Sequence, residues 1–193
     1  KYQIPVPTLC PPERQRRRLA WRNERNLYKR TCDLSGKELI SNVAPHHPFP
    51  VYEKKLWFGD DYDPSNFGRN FNFDRPFFDQ FHELQKMVPR FSIQQQEPIE
   101  NSPYCNCVSH MRSSYFLFDS DNCEKSMYSN LLKDSKDCYD CSFVSGSEHC
   151  YECIDCLNSN ELFFSSNCDN CRSSYFLENC IGCKNCAFCT NMR

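Results

Sequence analysis

The chain has 193 residues, of which 39% are hydrophobic and 15% aromatic, with 16 Cys, 16 Phe and 10 Tyr and a formal net charge of −2. That length suits one ordinary domain or two small units, and no stretch approaches the roughly 20 apolar residues of a membrane-spanning helix, so no membrane partner is expected and Lys1–Leu9 is no signal peptide. Residues 1–40 carry 10 Lys/Arg against 4 Asp/Glu, a balance of +6 that leaves −8 on the remainder, which suggests a basic module for an anionic partner joined to an acidic body.

Three segments follow in chain order: a basic module over residues 1–47, an aromatic and proline-rich connector over 48–99, and a cysteine-rich repeat over 100–193. In the first, Pro11 and Pro12 suit a helix start, Glu13 favours its first turn and Gly36 lies past its end, so a helix from about Pro12 to Arg30 is expected. Ala20, Glu24, Leu27 and Tyr28 would share one of its faces. Arg14, Arg16, Arg17, Arg18, Arg22, Arg25, Lys29 and Arg30, with Trp21 and Tyr28 interleaved, resemble the phosphate-contacting helices of RNA-binding proteins and are the candidate nucleic-acid-binding residues. The competing reading pairs these cations with the acidic body inside one fold.

In the connector, Phe77, Phe78, Phe81 and Leu84 fall at helical spacing, which predicts a helix over Arg75 to about Met87 with its apolar face docked on the solenoid.

The last segment repeats every 12 residues. Written in rows of twelve from Arg112, positions three, six, nine and twelve of six rows give 24 slots, filled by ten Cys, nine Ser and five Leu or Val, none of them charged. Every cysteine between Arg112 and Cys183 falls in such a slot, and position four is Tyr115, Met127, Tyr139, Tyr151, Phe163 and Tyr175. A fixed period with small residues at regular offsets marks stacked coils. The fold class expected is therefore mostly β, a parallel β-helix-like solenoid preceded by a small basic helical module. Whether a coil holds one repeat or two is left open by the side-chain pattern.

The slot cysteines fit three roles: packing as small buried thiols, metal ligation through the C-x-x-C spacings, or cross-coil disulfides. The metal position nominated in the repeat is His149 with the run Cys180, Cys183, Cys186 and Cys189. Cys10 and Cys32 bracket the basic run and could supply two ligands of a zinc site. Its other ligands would come from Cys105 and Cys107, from His46 and His47, or from residues upstream.

With Cys10-Pro11, the run Arg17 to Tyr28, Cys32 to Lys37, Leu56-Trp57-Phe58, Gly68-Arg69, Arg75 to Phe78 and Gln80-Phe81, the chain resembles an uncharacterised family of cysteine-rich, zinc-ribbon-containing proteins of candidate phyla radiation bacteria (Patescibacteria). Where that family has the second cysteine of a C-P-x-C, this chain has Glu13, itself an oxygen donor, and the family's upstream C-x-x-C is absent from residues 1–9. The resemblance implies zinc and a cytoplasmic bacterial setting. The segment R-T-C-D-L-S-G-K is also similar to the opening of a small ribosomal protein of the large subunit.

The leading functional expectation is a non-enzymatic, zinc-stabilised scaffold whose basic helix engages RNA or the ribosome. One rival is an enzyme working on the solenoid flank with paired carboxylates such as Asp137/Asp140 and Glu152/Asp155. Another is an extracellular or surface structural solenoid held by disulfides, whose aromatic row binds a protein partner or a second copy.

Overall fold

The computed structural model describes residues 6–20, 23–149, 151–152, 161, 163–167, 170, 172–176, 178–179, 181–182 and 184–190.

Helix α1 spans Pro11–Leu19, with Pro at its first turn, Glu13 beside the positive end and arginines in its last turn. It stops eleven residues short of the expected Arg30. Asn23 turns the chain instead: its side-chain oxygen accepts from the Asn26 N–H at 3.0 Å, and its amide donates to the Asn26 carbonyl at 2.9 Å and the Asn42 carbonyl at 2.6 Å. Such an asparagine offers the backbone an alternative to helical hydrogen bonds. Tyr28, Lys29 and Arg30 consequently lie in strand β1 (Tyr28–Thr31), paired antiparallel with β2 (Glu38–Ser41). Gly36, at φ 72°, belongs to the hairpin turn, where its N–H donates to the Cys32 carbonyl at 2.9 Å.

The hairpin is woven into the connector. The Asp33 N–H donates to the Val51 carbonyl, and the Val51 N–H returns a bond to the Asp33 carboxylate at 2.6 Å. Strand β3 (Val51–Tyr52) pairs in parallel with β4 (Arg90–Phe91), and the short helix α2 (Lys54–Trp57) sets Trp57 against Tyr62 and Phe91.

Helix α3 spans Phe77–Met87, close to expectation, with Pro76 as its N-cap. The expected docking of its apolar face does not occur. No residue of α3 is buried, Phe78 is 78% exposed, and the preceding Phe73 is 90% exposed. His82 and Gln85 line a cavity shared with Glu24 and Cys107, while Phe77, Phe81 and Leu84 line another against residues 68–75. Its own lead-in loop holds it: the Gln80 side chain bonds both the N–H and the carbonyl of Asn72, and Arg75 pairs with Glu83.

From Gln95 onward the chain coils. Strands β5 (Gln95–Glu100), β6 (Asn106–Arg112), β7 (Phe118–Glu124) and β8 (Lys133–Lys136) form one parallel sheet in chain order. Bridges join residues 12 apart along the coil, from Tyr115↔Met127 and Met127↔Tyr139 as far as Glu178↔Thr190. One repeat therefore makes one coil. A left-handed residue recurs every third position, at Cys107, His110, Ser113, Phe116, Asp119 and onward, so each coil turns four corners. Asn or Asp, which tolerate this conformation better than other side chains, hold several of these corners, among them Asp119, Asn122, Asp134, Asp137 and Asp140.

Each side of the coil contributes one inward residue, and these are the slots of the repeat. Cys105, Met111, Leu117, Cys123, Leu132, Cys138, Cys141 and Val144 form the core, with Ser114, Ser120, Ser126, Ser129 and Ser135 buried among them. Serine recurs there because an inward backbone N–H on one coil needs an acceptor inside the preceding one. The Ser126 and Cys138 N–H groups donate to the hydroxyls of Ser114 and Ser126, and the Cys141 N–H donates to that of Ser129. Each hydroxyl then donates to the carbonyl two residues back, as Ser120 does to Phe118 and Ser129 to Met127. The cysteines copy this: Cys123, Cys138 and Cys141 donate to the carbonyls of Asp121, Lys136 and Tyr139 at 3.3, 3.4 and 3.0 Å.

No helix among the described residues is long and apolar enough to cross a membrane.

Candidate functional site

The basic residues divide by position. Helix α1 buries none of its residues. Arg16 is held by Glu13 through two contacts of 2.9 and 2.5 Å, a pairing that lowers the Glu13 carboxyl below its ordinary value, and Arg18 bonds Gln15. Arg17 and Arg25 are exposed, Arg14 is half-buried, and Lys29 points outward from β1. Arg30 serves the fold, donating to the carbonyls of Ala44 and Phe49 at 3.3 and 3.2 Å. Arg22 lies outside the described residues.

The candidate metal ligands also separate. Cys10 is exposed at the N-cap of α1, and Glu13 is engaged with Arg16. Cys32 is buried at the hairpin turn and accepts from the Glu53 N–H at 3.2 Å. Burial opposes its ionisation, yet hydrogen bonds from the Ser35 hydroxyl and the N–H groups of Glu53, Ser35 and Leu34 outweigh it and hold the thiol below its ordinary value. A thiolate-favouring cradle suits a metal ligand, but among the described residues no set of three potential ligands forms around Cys32 or Cys10. These residues do not by themselves complete a tetrahedral zinc site.

Cys105 and Cys107 face opposite ways. Cys105 is fully buried in the coil, its thiol pushed up by burial and donating to the Ser114 carbonyl at 3.6 Å. Cys107 sits at a left-handed corner, φ 57°, and points out of the solenoid. Cys186 and Cys189 occupy inward slots and donate to the Lys184 and Ala187 carbonyls. Cys180 and Cys183 lie outside the described residues. Of the paired carboxylates, Asp137 and Asp140 hold successive corners, and Asp155 is outside the described residues.

One cluster among the described residues brings three potential ligands together. A carboxylate oxygen of Glu24, the sulfur of Cys107 and a carboxylate oxygen of Asp119 lie within 4.8 Å of one another, all half-buried. Asp119 is the residue 12 after Cys107, at the equivalent corner of the next coil, and the bridges Asn106↔Phe118 and Val108↔Ser120 fix the two on either side. Glu24 arrives on the Asn23 turn, docked by the Asn106 side-chain amide donating to the Glu24 carbonyl at 2.8 Å. A cavity of about 500 Å³ adjoins the cluster and is lined also by His47, His82, Gln85 and Arg90. A larger cavity of about 650 Å³ lies elsewhere, between α3 and residues 68–75, with a lining of Phe71, Phe77, Phe81 and Met87.

Glu24 and Asp119 were not among the residues the sequence nominated. The available signal was Cys107 itself: extending the rows of twelve back by one puts Cys105 in a slot and Cys107 outside one, which marks it as outward-facing, and Asp119 is its neighbour on the ladder. Comparison of the chain with family models, with characterised proteins and with solved structures finds no match.

Proposed function

We propose that the protein is a non-enzymatic binding scaffold that engages RNA, or the RNA surface of a ribosome, through α1, with zinc as a structural ion and the solenoid as a stiff extended flank. The observation that carries this reading is the exposure of α1: the helix carries four arginines in nine residues and buries none of them in a core. A helix this short draws little stability from its own propensity, and packing does not explain its arginines. Among the described residues Arg17, Arg25 and Lys29 make no ion pair, and Arg16 is shared only with Glu13 on its own helix, so phosphates can be met without dismantling the structure. The reading places the protein in the cytoplasm, where the thiols of the coil stay reduced.

The test is retention of single-stranded RNA as a function of salt. Each phosphate neutralised contributes about 0.7 to the slope of log affinity against log salt, so replacing Arg16, Arg17 and Arg18 by Ala is expected to lower the slope by about 2. Binding that is unchanged in affinity and slope would refute the assignment to α1.

A further inference from the structure

We propose that Glu24, Cys107 and Asp119 form a binding site for a divalent metal ion of the zinc class, and that the ion clamps the Asn23 turn onto the first two corners of the solenoid. The donor set is one sulfur and two carboxylate oxygens, a mixture that suits Zn²⁺ and its spectroscopic substitute Co²⁺ better than the all-oxygen preference of Mg²⁺ or Ca²⁺. Binding would exchange the Cys107 thiol proton, released to solvent, for the metal–sulfur bond, leaving a fourth position for water or for an imidazole of His47 or His82 from the adjoining cavity.

Three independent features support the site. The backbone fixes it: Cys107 and Asp119 are held in register by ladder pairs on both sides, with φ of 57° and 50°, and the turn bearing Glu24 is pinned by Asn106 and by the Asn23 bond to Asn42. The geometry is close: metal–ligand bonds of about 2.0–2.3 Å place tetrahedral ligands about 3.3–3.8 Å apart, so separations within 4.8 Å close by about 1 Å of side-chain movement. Finally, among the described residues the Asp119 carboxylate has neither hydrogen bond nor ion pair. Lys133, which lines a shallow cavity together with Cys107 and Asp119, makes no ion pair with it. The next residues on this ladder, Leu131 and Phe143, offer no ligand, so the cluster is confined to the first two coils.

The site is distinct from the Cys10/Cys32 pair, and its test needs no RNA, so it stands or falls separately from the function proposed for α1. The full chain, stripped of metal under reducing conditions, is titrated with Co²⁺ and the thiolate-to-cobalt charge-transfer absorption recorded. One equivalent is expected to bind here, with the band lost in Cys107→Ala, retained in Cys32→Ala and Cys10→Ala, and the affinity lowered tenfold or more in Asp119→Asn and Glu24→Gln. Band and stoichiometry unchanged in Cys107→Ala would overturn the proposal. Should Cys107→Ala fail to fold, the near-isosteric Asp119→Asn decides, because Asn is at home at a left-handed corner, and an unaltered cobalt affinity in that variant overturns it equally.

Discussion

Replacing Ser126 by Ala is the sharpest probe of why the inward positions hold serine and cysteine. Ser126 is fully buried; its hydroxyl donates to the Glu124 carbonyl at 3.0 Å and accepts from the Cys138 N–H of the next coil at 3.1 Å. Alanine fits the space but removes both functions. The Glu124 carbonyl keeps the Asp137 N–H at 3.0 Å, so the loss falls on the Cys138 N–H, which is stranded inside the coil at a cost of about 1–3 kcal/mol. Ser126→Cys keeps a donor, as Cys123 and Cys141 donate in equivalent slots, and a sulfur that can accept weakly, and is expected to cost under about 1.5 kcal/mol. Chemical denaturation followed by circular dichroism measures both, and amide exchange at Cys138 reads the stranded donor directly. If Ser126→Ala is no worse than Ser126→Cys and the Cys138 amide keeps its protection, the slots select for size alone.

Two further outcomes follow from burial. Burial, with smaller contributions from neighbouring Cys138, Asp121 and Asp134, pushes the Cys123 thiol up to about 12 from its ordinary 9.0, against a lowering hydrogen bond from Ser135. The folded state then holds a proton that the unfolded chain releases, so this contribution is fully present below pH 9 and is lost as pH rises from 9 to 12, amounting to about 4 kcal/mol at the upper limit. Denaturation midpoints across that range should fall less steeply for Cys123→Ser, and parallel curves would contradict the assignment. Phe78→Ser, at a position 78% exposed on α3, is expected to change stability by no more than about 0.5 kcal/mol, and a loss above about 2 kcal/mol in the same denaturation assay would mean that this face is covered in solution.

The solenoid was legible because sidedness is written into every third residue: Ser114, Leu117, Ser120 and Cys123 all turn inward, and the charge is kept outside. Coil size was not, because a 12-residue and a 24-residue coil place the same side chains inward and differ only in which backbones pair, as Tyr115↔Met127 and Met127↔Tyr139 do here. The basic helix was extended too far since arginine is a good helix former and the run after Leu19 continues the pattern; the signal against it was Asn23 with Asn26, whose local hydrogen bonds compete with the helix. Helix α3 shows the limit of periodicity. The spacing of Phe77, Phe81 and Leu84 fixes the helix, while the cavity that His82 and Gln85 line is completed by residues far away in sequence, such as Glu24 and Cys107. The part of Glu24 in its cluster with Cys107 and Asp119 was invisible for the same reason, since it joins a turn to residues more than 80 positions later.

The described cysteines of the coil and of the turn at Cys32 therefore fall into two chemical kinds, and the C-x-x-C spacing does not distinguish them. A coil that turns every three residues places a slot at every third position, so two adjacent slots filled by Cys, such as Cys138 and Cys141, give C-x-x-C with both thiols donating to carbonyls inside the core. Burial there favours the neutral thiol, as at Cys105 and Cys123, which is the reverse of what a metal ligand requires. Cys107 sits out of phase with the slots and faces two carboxylates, and Cys32 sits in a turn whose N–H groups favour the thiolate. Phase relative to the coil is thus the criterion that separates the structural thiols from those able to bind a metal. It predicts that alkylating reagents label Cys107 in the native protein well before Cys105, two residues away; equal rates would show that the coil does not protect its inward thiols.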